Sequence, residues 1–218
     1  FNNSANFGRA DKGAAYMLHA RLALNSEVYT KGAVKDYQKA IDYCNLLDGK
    51  YELSKAEKNG YTGYEQVFMA DNDQNVQAMK EIILPIRQDG AKTKCYSGAN
   101  YLVSSTRITG MPYIGTSNGW SCNFSRAALV KKFFSTIEDC PLATEAAPKD
   151  ATEADIIALD KAAGTTTKDV QAKANDDRAL FYSGCGGGLR KLQADQIAGF
   201  NSGLSIVKWS NIRTDGAA

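Results

Sequence analysis

Four aromatic residues between Gln88 and Asn123 (Tyr96, Tyr101, Tyr113 and Trp120) stand among Ser, Gly, Asn and Thr. Rings offered from loops suit a ligand with an apolar face and a polar rim. A pyranose has that shape: its axial C–H bonds pack on a ring face while its hydroxyls seek Asn, Asp, Arg and Lys. Trp120 lies in the polar turn Ser117-Asn-Gly-Trp-Ser-Cys122, a composition that favours exposure of the indole. The same rings could instead be loop anchors packed on the core, and spacing alone does not choose between the two.

Asp71-Asn-Asp-Gln-Asn75 places oxygen side chains at alternate positions, as the start of an EF-hand loop does. The match ends there, because Val76 stands where that loop needs Gly and Ile82 where it needs Glu. One cation held by Asp71 or Asp73 with help from distant residues is one reading, and a solvated turn is the other. Ser183-Gly-Cys-Gly-Gly-Gly188 lacks the lysine-serine ending of a phosphate-binding loop and reads better as a turn or bulge.

Nucleophilic catalysis has little to work with. His19 is the single histidine, set in the helical stretch Ala14-Ala-Tyr-Met-Leu-His-Ala-Arg-Leu22 with no nucleophile nearby, so a structural or solvated role is expected. The five cysteines (Cys44, Cys95, Cys122, Cys140 and Cys185) include no CxxC pair. They read as buried thiols with one disulfide at most, and not as a zinc site. Among 24 acidic residues no short pattern selects a carboxylate pair for glycoside hydrolysis.

The elements that must position these residues are mostly helical. Residues 9–29 repeat their apolar side chains at helical spacing after a possible cap at Asp11, and a turn follows at Thr30-Lys-Gly32. A second helix is expected over 33–47, where Ala33, Tyr37 and Ala40 match the small–aromatic–small spacing of a tetratricopeptide repeat. A short helix is expected at 63–69 and another at 125–134. Glu81-Ile-Ile-Leu-Pro-Ile-Arg87 is the strongest strand signal, with Pro85 arguing for an edge or bulge. Residues 88–123 read as loop, 143–175 as surface helix and loop with a helical turn at 154–163, and 178–182 and 204–209 as late strands. The expected fold is mostly α with a loop-rich mixed region. It forms a single unit, with a tetratricopeptide-like hairpin over 1–50 and a loop-rich, ligand-binding region of short strands over 51–218.

Composition narrows the function classes. The chain of 218 residues is 44% hydrophobic and 23% charged, so it can build a core, and its net charge of +2 offers no general attraction for nucleic acid. No apolar run approaches the ~18 residues that span a bilayer. The chain begins at Phe1 without Met, and one tetratricopeptide-like hairpin lacks stacking partners, so a piece of a longer protein is expected.

Five segments together resemble the SusD family, the surface glycan-binding lipoproteins of Bacteroidetes, and within it the starch binders. They are Phe7-Gly-Arg-Ala-Asp-Lys-Gly-Ala-Ala15, Phe68-Met-Ala-Asp-Asn-Asp73, Glu81-Ile-Ile-Leu-Pro-Ile-Arg-Gln-Asp-Gly90, Gly115-Thr-Ser-Asn-Gly-Trp-Ser-Cys122 and Gly203-Leu-Ser-Ile-Val-Lys-Trp209. The resemblance covers nearly the whole chain but only a middle portion of a family protein. It implies a non-catalytic binder of starch or maltooligosaccharide at the outer membrane, lipid-anchored through a part absent from this chain. The implied partner is a SusC-like, TonB-dependent transporter. It implies that Tyr96 and Trp120 belong to an arc of aromatics around the glycan. It also implies a structural Ca2+ near Asp71 and Asp73, with Asp73 the better candidate and further ligands beyond Ala218. A binder of a different glycan, or a tetratricopeptide-like protein-docking scaffold, remains an alternative.

Overall fold

The computed structural model describes residues 7–88, 91–93, 98–107, 111–117, 119–136, 139–142, 165–182 and 203–218. Among them helices dominate, accompanied by one small sheet. Helix α1 (Lys12–Leu24) starts where the Asp11 carboxylate accepts from Ala14 N. It ends where Asn25 folds back, donating from both its backbone N and its side-chain Nδ2 to the Arg21 carbonyl. A single turn, α2 (Ser26–Tyr29), follows, and Lys31 and Gly32 at φ 52 and 89 reverse the chain. Helix α3 (Tyr37–Asn45) then packs antiparallel to α1.

The hairpin interface is built from small residues. Ala20 and Ala23 of α1 and Ala40 of α3 are buried, which lets the two backbones approach closely. At one level aromatic rings fill the gap, with His19 stacked on Tyr43 at 4.8 Å and Tyr16 at 6.2 Å from the same ring. Ser26 Oγ accepts from Asp36 N at 2.8 Å and ties the two arms at the turn. Gly13 is required by contact, since a Cβ there would lie 1.9 Å from the Tyr51 hydroxyl.

Beyond the hairpin, Thr62 and Glu65 form a reciprocal cap on the one-turn helix α4 (Gly63–Gln66). Asn75 caps α5 (Val76–Glu81) by accepting from Gln77 N and Ala78 N. The two caps are joined through the core: Gln66, fully buried, accepts from Asn75 Nδ2 and donates to the Ala56 and Tyr61 carbonyls. A buried carboxamide is tolerated because both its ends are satisfied.

Helix α6 (Ala99–Thr106) follows Gly98, which sits at φ 76 and caps the start. Then come β1 (Phe124–Ser125), α7 (Ala127–Val130), α8 (Thr167–Ala174), β2 (Phe181–Tyr182) and β3 (Leu204–Ile206). The sheet order is β1-β3-β2, antiparallel throughout. The alternation of side chains along a strand divides the core in two. On one face Leu204 and Phe181 join Val130, Phe134, Cys140, Leu142, Val170 and Ala179, with Ile206 against them. On the other, Phe124 and Tyr182 flank the buried Ser205 by register and pack on Val103, Met111 and Ile114 with Trp209. The second cluster carries α6 and the loop after it.

The predominantly helical fold with short strands agrees with the sequence reading, and several boundaries are corrected. Residues 9–29 form two helices, α1 and α2, divided at Asn25. Helix α3 is shorter than the expected 33–47, and α4 shorter than 63–69. The expected strand at 81–87 is absent among the described residues. Glu81 closes α5, its carboxylate accepts from Ser54 N, and residues 82–88 run on outside any strand, with Ile86 89% exposed. A β-branched run makes a strand only where a neighbouring strand accepts it. The supposed loop 88–123 contains α6, and only Ala127–Val130 of 125–134 is helical. The late strands are present but shorter. The helical turn expected at 154–163 and the glycine run at 183–188 lie outside the described residues.

Candidate glycan-binding site

The residues around Trp120 are positioned by the end of α6. The last carbonyls of a helix have no partner inside it, and here the segment 120–123 supplies them. Trp120 N donates to the Ser104 carbonyl at 2.8 Å, while Cys122 N and Asn123 N share the Ser105 carbonyl at 2.9 and 3.0 Å. Ser121, in the left-handed region at φ 49, donates to the Arg107 carbonyl through both N and Oγ. Gly119 makes the approach feasible, because a Cβ there would lie 2.4 Å from the Arg107 carbonyl oxygen. The tryptophan backbone is therefore fixed to a helix end, although it lies in a loop by sequence.

Arg107 holds the other half of this loop. Its Nε donates to the Thr116 carbonyl at 2.9 Å and its Nη1 to the Met111 carbonyl at 3.1 Å. Met111 and Ile114 are buried in the second core cluster, and Tyr113 between them is 57% exposed. Trp120 is 41% exposed and Tyr101, on α6, 40% exposed, with ring centroids 6.0 Å apart and planes inclined by 51°. Partly exposed rings on a rigid support can pack against a sugar face at small ordering cost. Tyr96, the other expected contact, lies outside the described residues.

Within the acidic turn Asp71 and Asp73 stand in different surroundings. Asp71 is buried, and its two oxygens accept from Thr214 N at 2.9 Å and from Thr214 Oγ1 at 2.6 Å. Alongside, Ala70 N donates to the Ile212 carbonyl and Ser210 N to the Phe68 carbonyl, so residues 210–214 lie against 68–71. Asp73 is more exposed, with an Arg87 guanidinium nitrogen 3.9 Å from its carboxylate. Asn75, third of the alternating oxygen side chains, is committed to capping α5. Of the two candidate metal ligands, Asp73 is the one not bonded to Thr214. Among the described residues no three His, Cys, Asp or Glu side chains gather as a metal site.

Among the described residues no nucleophile is assembled with a base. His19 is stacked in the helical hairpin, far along the chain from Trp120. Cys44 and Cys122 are free thiols that lie exposed, against the expectation of burial, Cys140 is buried, and Cys95 and Cys185 lie outside the described residues. A separate open cleft of about 710 Å3 is lined by polar residues of α8 and of the turn before α4, including Glu57, Thr62, Lys168, Gln171 and Asp177. It carries no aromatic ring. At its rim Asp176 is held below the usual carboxylate range by its hydrogen bonds from Arg178.

The chain is 54% identical over 217 residues, 97% of its length, to the starch-binding protein SusD of Bacteroides thetaiotaomicron. It matches a segment of a SusD-family protein. The match spans 38% of that relative's length. No protein-family model matches the chain. SusD-family resemblance read from scattered motifs is thus carried by identity along nearly the whole sequence. The Tyr101–Trp120 pairing was beyond sequence reading, since α6 itself went unrecognised. The Asp71–Thr214 contact joins residues 143 positions apart, a separation at which no local pattern operates.

Proposed function

We propose that this chain is part of a protein that binds starch or maltooligosaccharides without cleaving them. Two supports carry the reading: the identity to a starch-binding relative, and a tryptophan held rigidly and partly exposed at the end of α6. Trp120, with Tyr96, provides ring faces for successive sugars, and surrounding polar groups take their hydroxyls. Binding of this kind needs burial and shape, and no activated nucleophile. Each stacked sugar covers on the order of 80 Å2 of ring surface, about 2 kcal/mol before ordering is subtracted. One contact is weak, so several must act together along the glycan.

The whole protein would work at the outer-membrane surface, anchored by lipid, delivering glycan to a SusC-like, TonB-dependent transporter. No described helix is long and apolar enough to cross a membrane. A structural Ca2+ is proposed at Asp73, with its remaining oxygen ligands drawn from outside the described residues. Incubation of the intact protein with maltoheptaose tests the central reading: the sugar is retained and recovered uncut, and released shorter sugars would mean an enzyme.

A tetratricopeptide-like docking role is the second reading. The α1–α3 hairpin leaves Leu18, Val28, Tyr37 and Ile41 exposed at 60%, 73%, 44% and 53%, an apolar surface that a further helical element would cover. Full glycan retention by a Trp120→Ala protein would favour it.

A further inference from the structure

We infer that Arg107 is the positioning residue of this site: its guanidinium and stem hold the stretches on either side of Trp120 in the arrangement that presents the ring to a glycan. This rests on the glycan-binding reading above and deepens it, because it names what fixes the tryptophan before sugar arrives.

Met111, Thr116, Gly119 and Ser121 all meet Arg107. Its Nε and Nη1 donate to the Thr116 and Met111 carbonyls at 2.9 and 3.1 Å. Gly119 lies on its stem, where a Cβ would come 2.8 Å from Arg107 Cγ. Ser121 donates to the Arg107 carbonyl from both N and Oγ, each at 3.3 Å. Trp120 stands between the last two. Arg107 itself has a firm base, since it follows directly on α6, whose residues Val103, Ser104, Ser105 and Thr106 are all buried.

The chemistry of the side chain suits this task. A planar guanidinium carries its donors in a fixed fork, so holding one carbonyl aligns it for the other. Lysine offers a point charge on a flexible stem and loses that alignment. Asn211 grips the same stretch a second time. Its N donates to the Ile114 carbonyl at 2.8 Å, and Gly115, at φ 82, admits a backbone that a Cβ would approach to 2.5 Å. Met111 and Ile114 are buried, so Arg107 links an anchored stretch to the tryptophan. Without the fork, the 119–121 stretch is free to leave the arrangement that displays the ring. Apparent affinity then falls with the fraction of molecules still competent, so a site in place about one-tenth of the time binds about tenfold more weakly.

Calorimetry of the intact protein with maltoheptaose, paired with hydrogen exchange of the free and sugar-bound protein, tests this in Arg107→Met, Arg107→Lys and Trp120→Ala. Arg107→Met keeps a stem beneath Gly119 and removes the guanidinium, and Arg107→Lys keeps stem and charge without the fork. Affinity is expected to fall roughly five- to twentyfold in Arg107→Met and to recover only in part in Arg107→Lys. In sugar-free Arg107→Met, amide exchange should accelerate over 120–123 and stay at the wild-type rate in α1 and α3. Saturating maltoheptaose should slow it again. Wild-type affinity in Arg107→Met, or full recovery in Arg107→Lys, would overturn the inference; weak binding by Trp120→Ala would then leave the glycan-binding reading intact. Lost affinity with unchanged exchange over 120–123 would also overturn it, because the guanidinium would then be touching the sugar itself. Faster exchange throughout the chain would overturn it as well, as a general loosening. Unchanged binding by Trp120→Ala would instead sink the glycan-binding reading, and this inference with it.

Discussion

The Asp71–Thr214 contact offers the sharpest test of how the structure holds together. Both residues are buried, at 6% and 1% exposure, and Thr214 gives Asp71 two hydrogen bonds at 2.9 and 2.6 Å. Replacing Asp71 by Ala leaves the Thr214 N–H and hydroxyl buried with no acceptor from that side chain. At about 1–3 kcal/mol for each of the two stranded groups, the expected loss is roughly 2–6 kcal/mol. Thr214→Val keeps the shape and removes only the hydroxyl, so about 1.5–3 kcal/mol is expected from loss of that bond to a charged acceptor. In a double-mutant cycle the two losses should not add, because both variants remove the same bond. Urea unfolding followed by circular dichroism measures all four proteins. Additive losses, or a change below about 0.5 kcal/mol for Asp71→Ala, would refute the reasoning, since surface substitutions move stability no more than that.

Other consequences follow from the same geometry. Gly119→Ala places a methyl group 2.4 Å from the Arg107 carbonyl, so the 120–123 segment must shift, at a cost of about 1–3 kcal/mol. Thermal melting should fall and maltoheptaose affinity with it, and unchanged values of both would show that the segment is not held as described. His19→Ala removes a stacked pair at an exposed position of the hairpin, expected to cost about 0.5–1.5 kcal/mol in denaturant unfolding while glycan affinity stays unchanged. Asp169, in the reciprocal cap of α8, has its carboxyl held below the usual range by hydrogen bonds from the Thr166 backbone and hydroxyl. A depressed folded-state pKa stabilises above the unfolded value, near 4, and this stabilisation is lost as pH falls through the folded one. Protection factors for amide hydrogen exchange at the first turn of α8 should therefore fall below about pH 4, and Asp169→Asn should remove most of that dependence.

What could be read from the sequence was what local chemistry determines. The helical hairpin was legible because Ala, Leu and Tyr recur at helical spacing and Gly32 supplies the positive φ that its turn needs. Trp120 was legible as a displayed ring because its neighbours are small and polar. The strand expected at 81–87 shows the limit of that approach: Ile82, Ile83 and Ile86 favour extended backbone, but pairing depends on a second strand that residue type cannot supply. Helix α6 escaped because Ser and Thr fill its last turn, where burial and capping by 120–123 outweigh weak propensity. The alternation of Asp71 and Asp73 marks both as candidate cation ligands, whereas the contact of Thr214 with both Asp71 oxygens has no local pattern to announce it.

Isothermal titration of maltoheptaose into the intact protein and its Trp120→Ala variant bears most directly on the central claim. A stacked sugar worth about 2 kcal/mol predicts that the variant binds roughly thirtyfold more weakly or not measurably, with its unfolding midpoint unchanged. Equal affinity in the two proteins would contradict a glycan site built on Trp120.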